Sequence, residues 1–395
     1  MMQKKSLAAL VATLFAVPFA AHADVTIYGF LSSGLESTKA VGNPTAANNY
    51  DSRTRVTDNN SRIGFKGFED LGDGTKAIWQ LESSLKNFEQ GGTSDSGATA
   101  TLGTRNSFVG LNNTSFGQII AGYNDSAYKT LTGVEPGLNQ MINTTADVNG
   151  AGQVFSRGEA RLKNAVQYNS PVWSGFKFAA SYGFDEAEAQ DTNGLYTDRA
   201  HISLAGQYNA NGLIVAAGWD RTEDSAVSVS SGLVNTATAN TGYKTVAYSG
   251  KNQDYSKLAA TYKFTTGTFI GAGYEHASLD QNNASGALTQ NDWTVAFGQD
   301  FGAASLKLSY SELGSLNGSA NPDAYKAKQW MLAGTYNLSK ATQLFAYYTK
   351  ITNNADQAVN FANNPVYSNN LGQSSAYLSP GNDPQAFGVG LTVNF

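Results

Sequence analysis

Apolar and polar residues alternate one by one along much of the chain. Phe176, Phe178, Ala180, Tyr182 and Phe184 are separated by Lys177, Ala179, Ser181 and Gly183. Ile202, Leu204, Gly206 and Tyr208 interleave with Ser203, Ala205 and Gln207, and Leu258, Ala260, Tyr262 and Phe264 with Ala259, Thr261 and Lys263. The same period of two runs through Trp293, Val295 and Phe297, through Leu306, Leu308 and Tyr310, and through Phe387, Val389, Leu391, Val393 and Phe395. A period of two puts one residue class on each face of a β-strand, whereas helical spacing is scarce here.

The connections between these runs alternate as well. Short turns fall near 69–74, 112–117, 171–175, 209–212, 265–267, 300–303 and 337–340. Long polar stretches occupy about 39–51, 88–100, 124–158, 186–198, 222–253, 278–289, 313–325 and 353–383. Seven short turns and eight long loops predict sixteen strands. An even number of strands, with short connections at one end and long ones at the other, predicts an all-β, antiparallel transmembrane β-barrel. Closing the barrel leaves no unpaired backbone in hydrocarbon.

Composition sharpens this expectation. Charged residues make up 14% of the chain against roughly 25% in an average soluble protein, yet mean hydropathy is only −0.31. A disordered chain carries more charge and fewer aromatics than the 20 Tyr and 20 Phe here. A helical membrane protein needs runs of about 20 apolar residues, and beyond the N-terminus there is none. With no cysteine, neither disulfides nor thiolate metal sites arise. Nothing in the sequence calls for a metal or a cofactor. The formal charge of −5 argues against a nucleic-acid partner.

Residues 1–23 read as a secretory signal peptide: Lys4 and Lys5, an apolar stretch from Leu7 to Phe19, and the A-x-A site Ala21-His22-Ala23. Cleavage after Ala23 leaves one barrel domain over 24–395, with 24 basic and 31 acidic residues.

Several segments resemble a known family. Residues 61–77 (S-R-I-G-F-K-G-F-E-D-L-G-D-G-T-K-A) are similar to the S-R-x-G-F-K-G-x-E-D-L-G-x-G-x-K-A signature of general porins, nearest to their β-proteobacterial branch. Residues 24–29, 104–111, 116–122 and 164–171 resemble that family's first, fourth and fifth strands and the segment after its third loop. The ending G-V-G-L-T-V-N-F resembles its C-terminus. The resemblance implies a sixteen-stranded, trimeric, water-filled channel in the outer membrane of a Gram-negative bacterium. Small hydrophilic solutes and ions would pass through it, lipid and lipopolysaccharide would surround it, and the outer-membrane assembly machinery would insert it. It also implies that the third loop folds inward and narrows the pore.

That loop, 124–158, carries Asp125, Glu135 and Asp147, with Glu135-Pro136-Gly137 resembling the family's acidic tip. On the opposing wall, alternation places Arg62 and Lys66 in the lumen if Ile63 and Phe65 face lipid. It places Arg105 there if Phe108 faces lipid, and Lys163 and Arg161 if Val166 and Tyr168 do. Arg62, Arg105 and Arg161 also fall where the resemblance puts an arginine cluster. A charge on lipid at mid-depth costs about 2–4 kcal/mol, which favours inward placement on energy alone. Charges at a constriction outweigh loop charges screened within about 8–10 Å, which tips the expected preference towards anions. Tyr28 and Phe30 fall inward if Ile27 and Leu31 face out. Phe395 ends an alternating strand in the manner of an assembly signal. Tyr168, Tyr182, Tyr208, Trp219, Tyr262, Tyr274, Trp293, Tyr310 and Trp330 suit aromatic girdles.

Other readings are weaker. After cleavage His201 and His276 remain, neither within a Ser/His/Asp pattern, and Gly271-Ala272-Gly273 lies inside a strand rather than a phosphate loop, so no enzyme is expected. A solute-specific porin shares every barrel feature and differs in its lumen. A TonB-dependent receptor needs about 22 strands, more than 372 residues supply. An adhesive barrel would act through the long loops.

Overall fold

The computed structural model describes residues 24–85, 102–134, 138, 141–148, 153–185, 199–224, 252–280, 286–366 and 378–395, with the backbone of 227–230, 233–234 and 245–248. The strands are β1 (Asp24–Val41), β2 in two pieces (Tyr50–Asp58 and Arg62–Gly72), β3 (Thr75–Ser84), β4 (Ser107–Asn113) and β5 (Gly117–Asp125). Helix α1 (Ala127–Thr132) precedes β6 (Arg161–Asn169), β7 (Phe176–Gly183), β8 (His201–Ala210) and β9 (Leu213–Glu223). Next come β10 (Asn252–Lys263), β11 (Thr268–Leu279), β12 (Leu288–Phe301) and β13 (Ala304–Leu313). The last are β14 (Ala327–Asn337), β15 (Thr342–Asn353) and β16 (Asp383–Asn394). Val227–Ser230, Leu233–Val234 and Thr245–Tyr248 form a small separate sheet between β9 and β10.

Each strand pairs antiparallel with its sequence neighbour, and β16 returns to β1 with Leu31 opposite Val393 and Val41 opposite Asp383. Gly29 and Phe395 exchange two backbone hydrogen bonds of 3.1 and 3.0 Å at the end of this seam. The ring therefore has sixteen staves and no free edge. The seven short turns expected from the sequence separate these staves, as do the stretches expected as long loops, of which 88–100 and 186–198 lie outside the described residues.

The second stave is broken at Asn59-Asn60-Ser61. Both pieces pair with β1, Leu35 opposite Val56 and Tyr28 opposite Gly64. Asp58 accepts from the Ser61 amide at 3.0 Å, and Asn60 takes a positive φ of 62°. The Asn59 amide donates to the Ser32 carbonyl at 3.0 Å, and the break turns Asn60 out of the ladder.

Alternation sorts the two faces. Leu204, Leu258, Tyr274 and Phe387 are exposed on the outside, while Ser203, Glu275 and Thr294 are fully buried on the inside. Outside, Tyr208 and Tyr262 lie near the short turns, each in ring contact with Phe176 or Phe264 at 4.5 and 4.6 Å. Higher up, Trp293, Tyr310 and Trp330 form a continuous row, with centroids 5.3 and 4.3 Å apart. Two aromatic levels on an aliphatic band are what two headgroup regions require.

Leu258 sits mid-strand in that band, 57% exposed. Leu258→Arg is expected to cost about 2–4 kcal/mol, measured by denaturant unfolding of the refolded barrel in phospholipid vesicles.

Candidate functional site: a loop-narrowed lumen with a basic wall

The third long loop leaves β5 and folds into the barrel. Ser126 caps α1, its Oγ accepting from the Lys129 amide at 3.2 Å. The first amides of the helix donate to the inner wall, Ala127 to Ser181 Oγ at 2.7 Å and Tyr128 to Ser203 Oγ at 2.8 Å. Gln207 reaches the Leu131 carbonyl at 2.7 Å. This close approach needs small wall residues: a Cβ on Gly218 would lie 2.8 Å from Thr132, and one on Gly273 2.6 Å from Phe155.

The loop then crosses the lumen. Lys307 on β13 donates to the Met141 carbonyl, Asn60 to Asn143 Oδ1 at 3.2 Å, and Gln329 on β14 to the Ala146 carbonyl at 3.1 Å. On its return the loop is moored by charge. Arg157 donates to Asp292 Oδ2 and Gln290 Oε1, both at 2.8 Å, and its amide to Glu275 Oε1 at 2.7 Å. Lys257 holds Ser156 Oγ at 2.8 Å and Glu159 at 3.1 Å. Burial works against the Arg157 charge, but Asp292, Tyr255 and Glu275 outweigh it and raise the pKa of the guanidinium. Burying these charges is tolerable because each has an opposite partner.

The loops fill one side of the lumen. Inner residues Ala216, Ala259, Met331 and Tyr347 are all buried beneath apolar loop residues such as Leu138, Val154, Phe155 and Phe361. The lower parts of β1–β3 stay accessible: Lys66 is exposed, and Arg62, Phe68 and Gln80 are half-buried.

Along that wall lies one charged cluster. Register puts Arg62 opposite Phe30 and Lys66 opposite Thr26, on the face that carries the buried Glu36 higher up β1. Arg62 rests on the Phe30 ring at 4.8 Å and Lys66 on the Tyr28 ring at 5.1 Å, which accounts for two inward aromatics. Arg105 pairs with Glu82 at 2.5 Å, and the Tyr28 hydroxyl donates to the same carboxylate at 3.0 Å. Arg161 Nε lies 3.0 Å from Asp125 and 2.8 Å from Asn106 Oδ1, and Lys129 Nζ lies 3.1 Å from Asp125. Arg62 feels the charges of Arg105, Arg161, Glu82 and Asp125.

Two steps of the alternation reading need correction. Phe108 pairs with Gln80 on the inner face, while Val109 and Leu111 are the exposed outer residues of β4. Arg105 reaches the cluster because it precedes β4, where the chain turns and alternation does not extend. In β6 the positive φ of Asn164, 49°, interrupts the count below Ala165 and Gln167. Leu162 is therefore buried opposite Asn124, Lys163 is exposed without an ion pair among the described residues, and Arg161 meets Asp125.

The loop acids do not stand across from the arginines as a row. Asp125 is held by Arg161 and Lys129 on the wall side. Asp147 is folded into the loop, accepting from the amides of Ile142 at 3.2 Å and Thr144 at 2.9 Å. Glu135 lies outside the described residues. The sequence reading passed over Glu82, Asn106 and Asn60, and the mooring set Arg157, Lys257, Glu275 and Asp292. A signal for Lys257, Glu275 and Asp292 was present: alternation places each of these charges on the inward face of its strand.

Burial pushes the pKa of Asp147 up to about 7, against the opposing pull of the Ile142 and Thr144 amides. Between the ordinary carboxyl value of about 4 and about 7, the closed loop keeps a proton that an opened loop has lost. Closure is thus strongest below this window, weakens as pH rises through it, and is level above it. Amide exchange at Ile142 and Thr144, corrected for the intrinsic rate, is expected to quicken from about pH 5 to about pH 7. Asp147→Asn is expected to make it independent of pH over that range.

A family model described as Gram-negative porin matches residues 6–356. The major outer membrane protein P.IB of Neisseria meningitidis serogroup B is 36% identical over 194 residues, covering 49% of this chain and 53% of that protein. Its counterpart in Neisseria lactamica is 36% identical over 202 residues, covering 51% and 54%. The chain thus spans about half the length of the curated relatives it matches. Among solved structures, an anion-selective porin from Comamonas acidovorans superposes with a TM-score of 0.67 at 21% identity, over 95% of this chain and all of that one. OmpT, an outer membrane protein of Vibrio cholerae, gives 0.64 at 18% identity, over 96% of this chain and 99% of its own. Fold, inward loop and family model converge: the chain belongs to the Gram-negative porin family.

Proposed function

We propose that the chain is an outer-membrane diffusion channel for small hydrophilic solutes and ions, its narrowest part bounded by the third loop and the Arg62, Arg105 and Arg161 wall. One observation carries this reading. The loops fill one side of the lumen and leave the other accessible, where guanidiniums outnumber carboxylates. The Asp125 and Glu82 charges are already engaged by cations, and Asp147 is withdrawn into the loop. The local field is therefore positive, and passage favours anions. Lys66 extends the positive wall below Arg62, Lys163 is assigned a flanking role, and Glu135 remains a proposed constriction residue.

Residues 1–23 are proposed to be removed after Ala23, leaving β1 to begin the barrel. Phe395 is proposed as the assembly signal; its backbone closes the seam with Gly29, and its side chain is exposed. The working assembly is proposed to be a homotrimer. Among the described residues, the outer positions of β16, β1 and β2 carry aliphatics such as Val25, Leu31, Leu35 and Val389 but no Tyr or Trp. A sector without headgroup-seeking aromatics suits burial against another copy.

A second reading, a solute-specific porin, draws support from Tyr28, Phe30, Phe68 and Phe108 on the inner wall. Conductance that saturates or is blocked by one class of solute would favour it.

Reconstitution in planar bilayers tests the main reading. The wild-type chain is expected to conduct with a reversal potential of anion-selective sign in a potassium chloride gradient. Arg62→Ala, Arg105→Ala and Arg161→Ala are each expected to move that potential towards cation selectivity, Arg62→Ala most. Unchanged conductance and selectivity in all three would overturn the assignment.

A further inference from the structure

The eighth long loop also enters the barrel. Its first part, residues 354–366, buries Val359 and Phe361 in the same apolar cluster as Leu138, Ala146 and Val148 of the third loop. The two loops and three strands are joined by a series of hydrogen bonds. Arg55 on β2 donates through Nε to Glu36 Oε1 at 2.8 Å, and through Nη2 and Nη1 to the carbonyls of Asn364 and Pro365, both at 2.6 Å. The Asn364 amide donates to Thr145 Oγ1 in the third loop at 3.0 Å. On the other side of Glu36, the Tyr347 hydroxyl on β15 donates to Oε2 at 2.5 Å. The order from the wall to the third loop is thus Tyr347, Glu36 on β1, Arg55, Asn364 and Thr145.

Glu36, Thr145 and Tyr347 are buried. Glu36 uses each carboxylate oxygen for a different member, and Arg55 uses both edges of its planar fork. A parallel bond, Asn363 Nδ2 to the Thr144 carbonyl at 2.9 Å, ties the same two loops. Thr144 and Thr145 adjoin Asn143, whose side chain meets Asn60 two residues from Arg62.

We propose that this series is a latch that sets the position of the third loop, with Arg55 and Tyr347 as positioning residues and the eighth loop as a second element narrowing the channel. The proposal rests on the diffusion-channel reading. The latch fixes the width of the passage beside Arg62 from a distance, without contributing a side chain to the passage itself. Because the members stand in series, loosening any one of them loosens the hold on the third loop, and a second break adds little.

Tyr347→Phe removes one hydroxyl and keeps the ring that stacks on Phe345. Asn364→Ala opens the series at its loop end without touching the wall ion pair. Arg55→Lys keeps a charge beside Glu36 but cannot span Glu36 and two carbonyls. In planar bilayers each variant is expected to show mean single-channel conductance raised by about half, noisier open levels and closure at lower voltage. The Tyr347→Phe/Asn364→Ala double variant is expected to match the stronger single variant rather than their product. Thermal unfolding of the folded assembly on unheated gels serves as the control, since a merely structural role would lower stability and leave conductance levels and closing voltage unmoved. Wild-type conductance and closing voltage in Tyr347→Phe and Asn364→Ala would overturn the latch. A wild-type chain that forms no channels would instead overturn the diffusion reading.

Discussion

Every backbone amide and carbonyl that crosses hydrocarbon has to find its partner within the protein, because lipid offers none. For a chain of strands this demand has one solution, closure, and the rest of the molecule follows from it. The β1–β16 seam, finished by the paired hydrogen bonds of Gly29 and Phe395, completes the last ladder. A closed ladder sorts side chains strictly by alternation, so a chain with modest overall hydropathy wears an apolar coat. The low average conceals two opposite surfaces: Leu258 and Phe387 outside, Ser203 and Thr294 inside.

Closure also creates an interior that is not a core. Sixteen staves enclose more space than inward side chains fill, and the long loops occupy it. They pack there because the wall is small and polar. Ser181 and Ser203 receive helix amides, and Gly218 and Gly273 leave room for Thr132 and Phe155. The apolar cluster that results is made by loops against the inside of a barrel, reversing the usual order in which strands build a core and loops cover it.

Much of the barrel was legible in the sequence because a period of two survives averaging over a whole strand. The turns, the loops and the inward Arg62 follow from it. It failed where the backbone leaves the ladder. At Asn164 a positive φ reverses the count, and before β4 the chain turns, so Arg105 lies inside even though Phe108 does too. The third loop was legible as long and functional, but not its path. That path is decided by contacts hundreds of residues apart, such as Gln329 with Ala146 and Asn363 with Thr144. The break at Asn59-Asn60-Ser61 was equally hidden, since both pieces of β2 keep the same partner strand.

The distribution of charge follows the distribution of water. Where loops exclude water, an unpaired ion is too costly to keep, and the inner charges are matched: Arg157 with Asp292, Lys257 with Glu159, Arg55 with Glu36. Where water remains, that penalty is relaxed. There Arg62 makes no ion pair among the described residues; its guanidinium rests on a carbonyl and an aromatic face. Arg105 and Arg161 are drawn towards carboxylates, yet both still act on Arg62. The positive character of the open side therefore needs no opposing acidic row. It is the charge left over once the dry side has been neutralised, and it lies where a hydrated ion has room to respond to it.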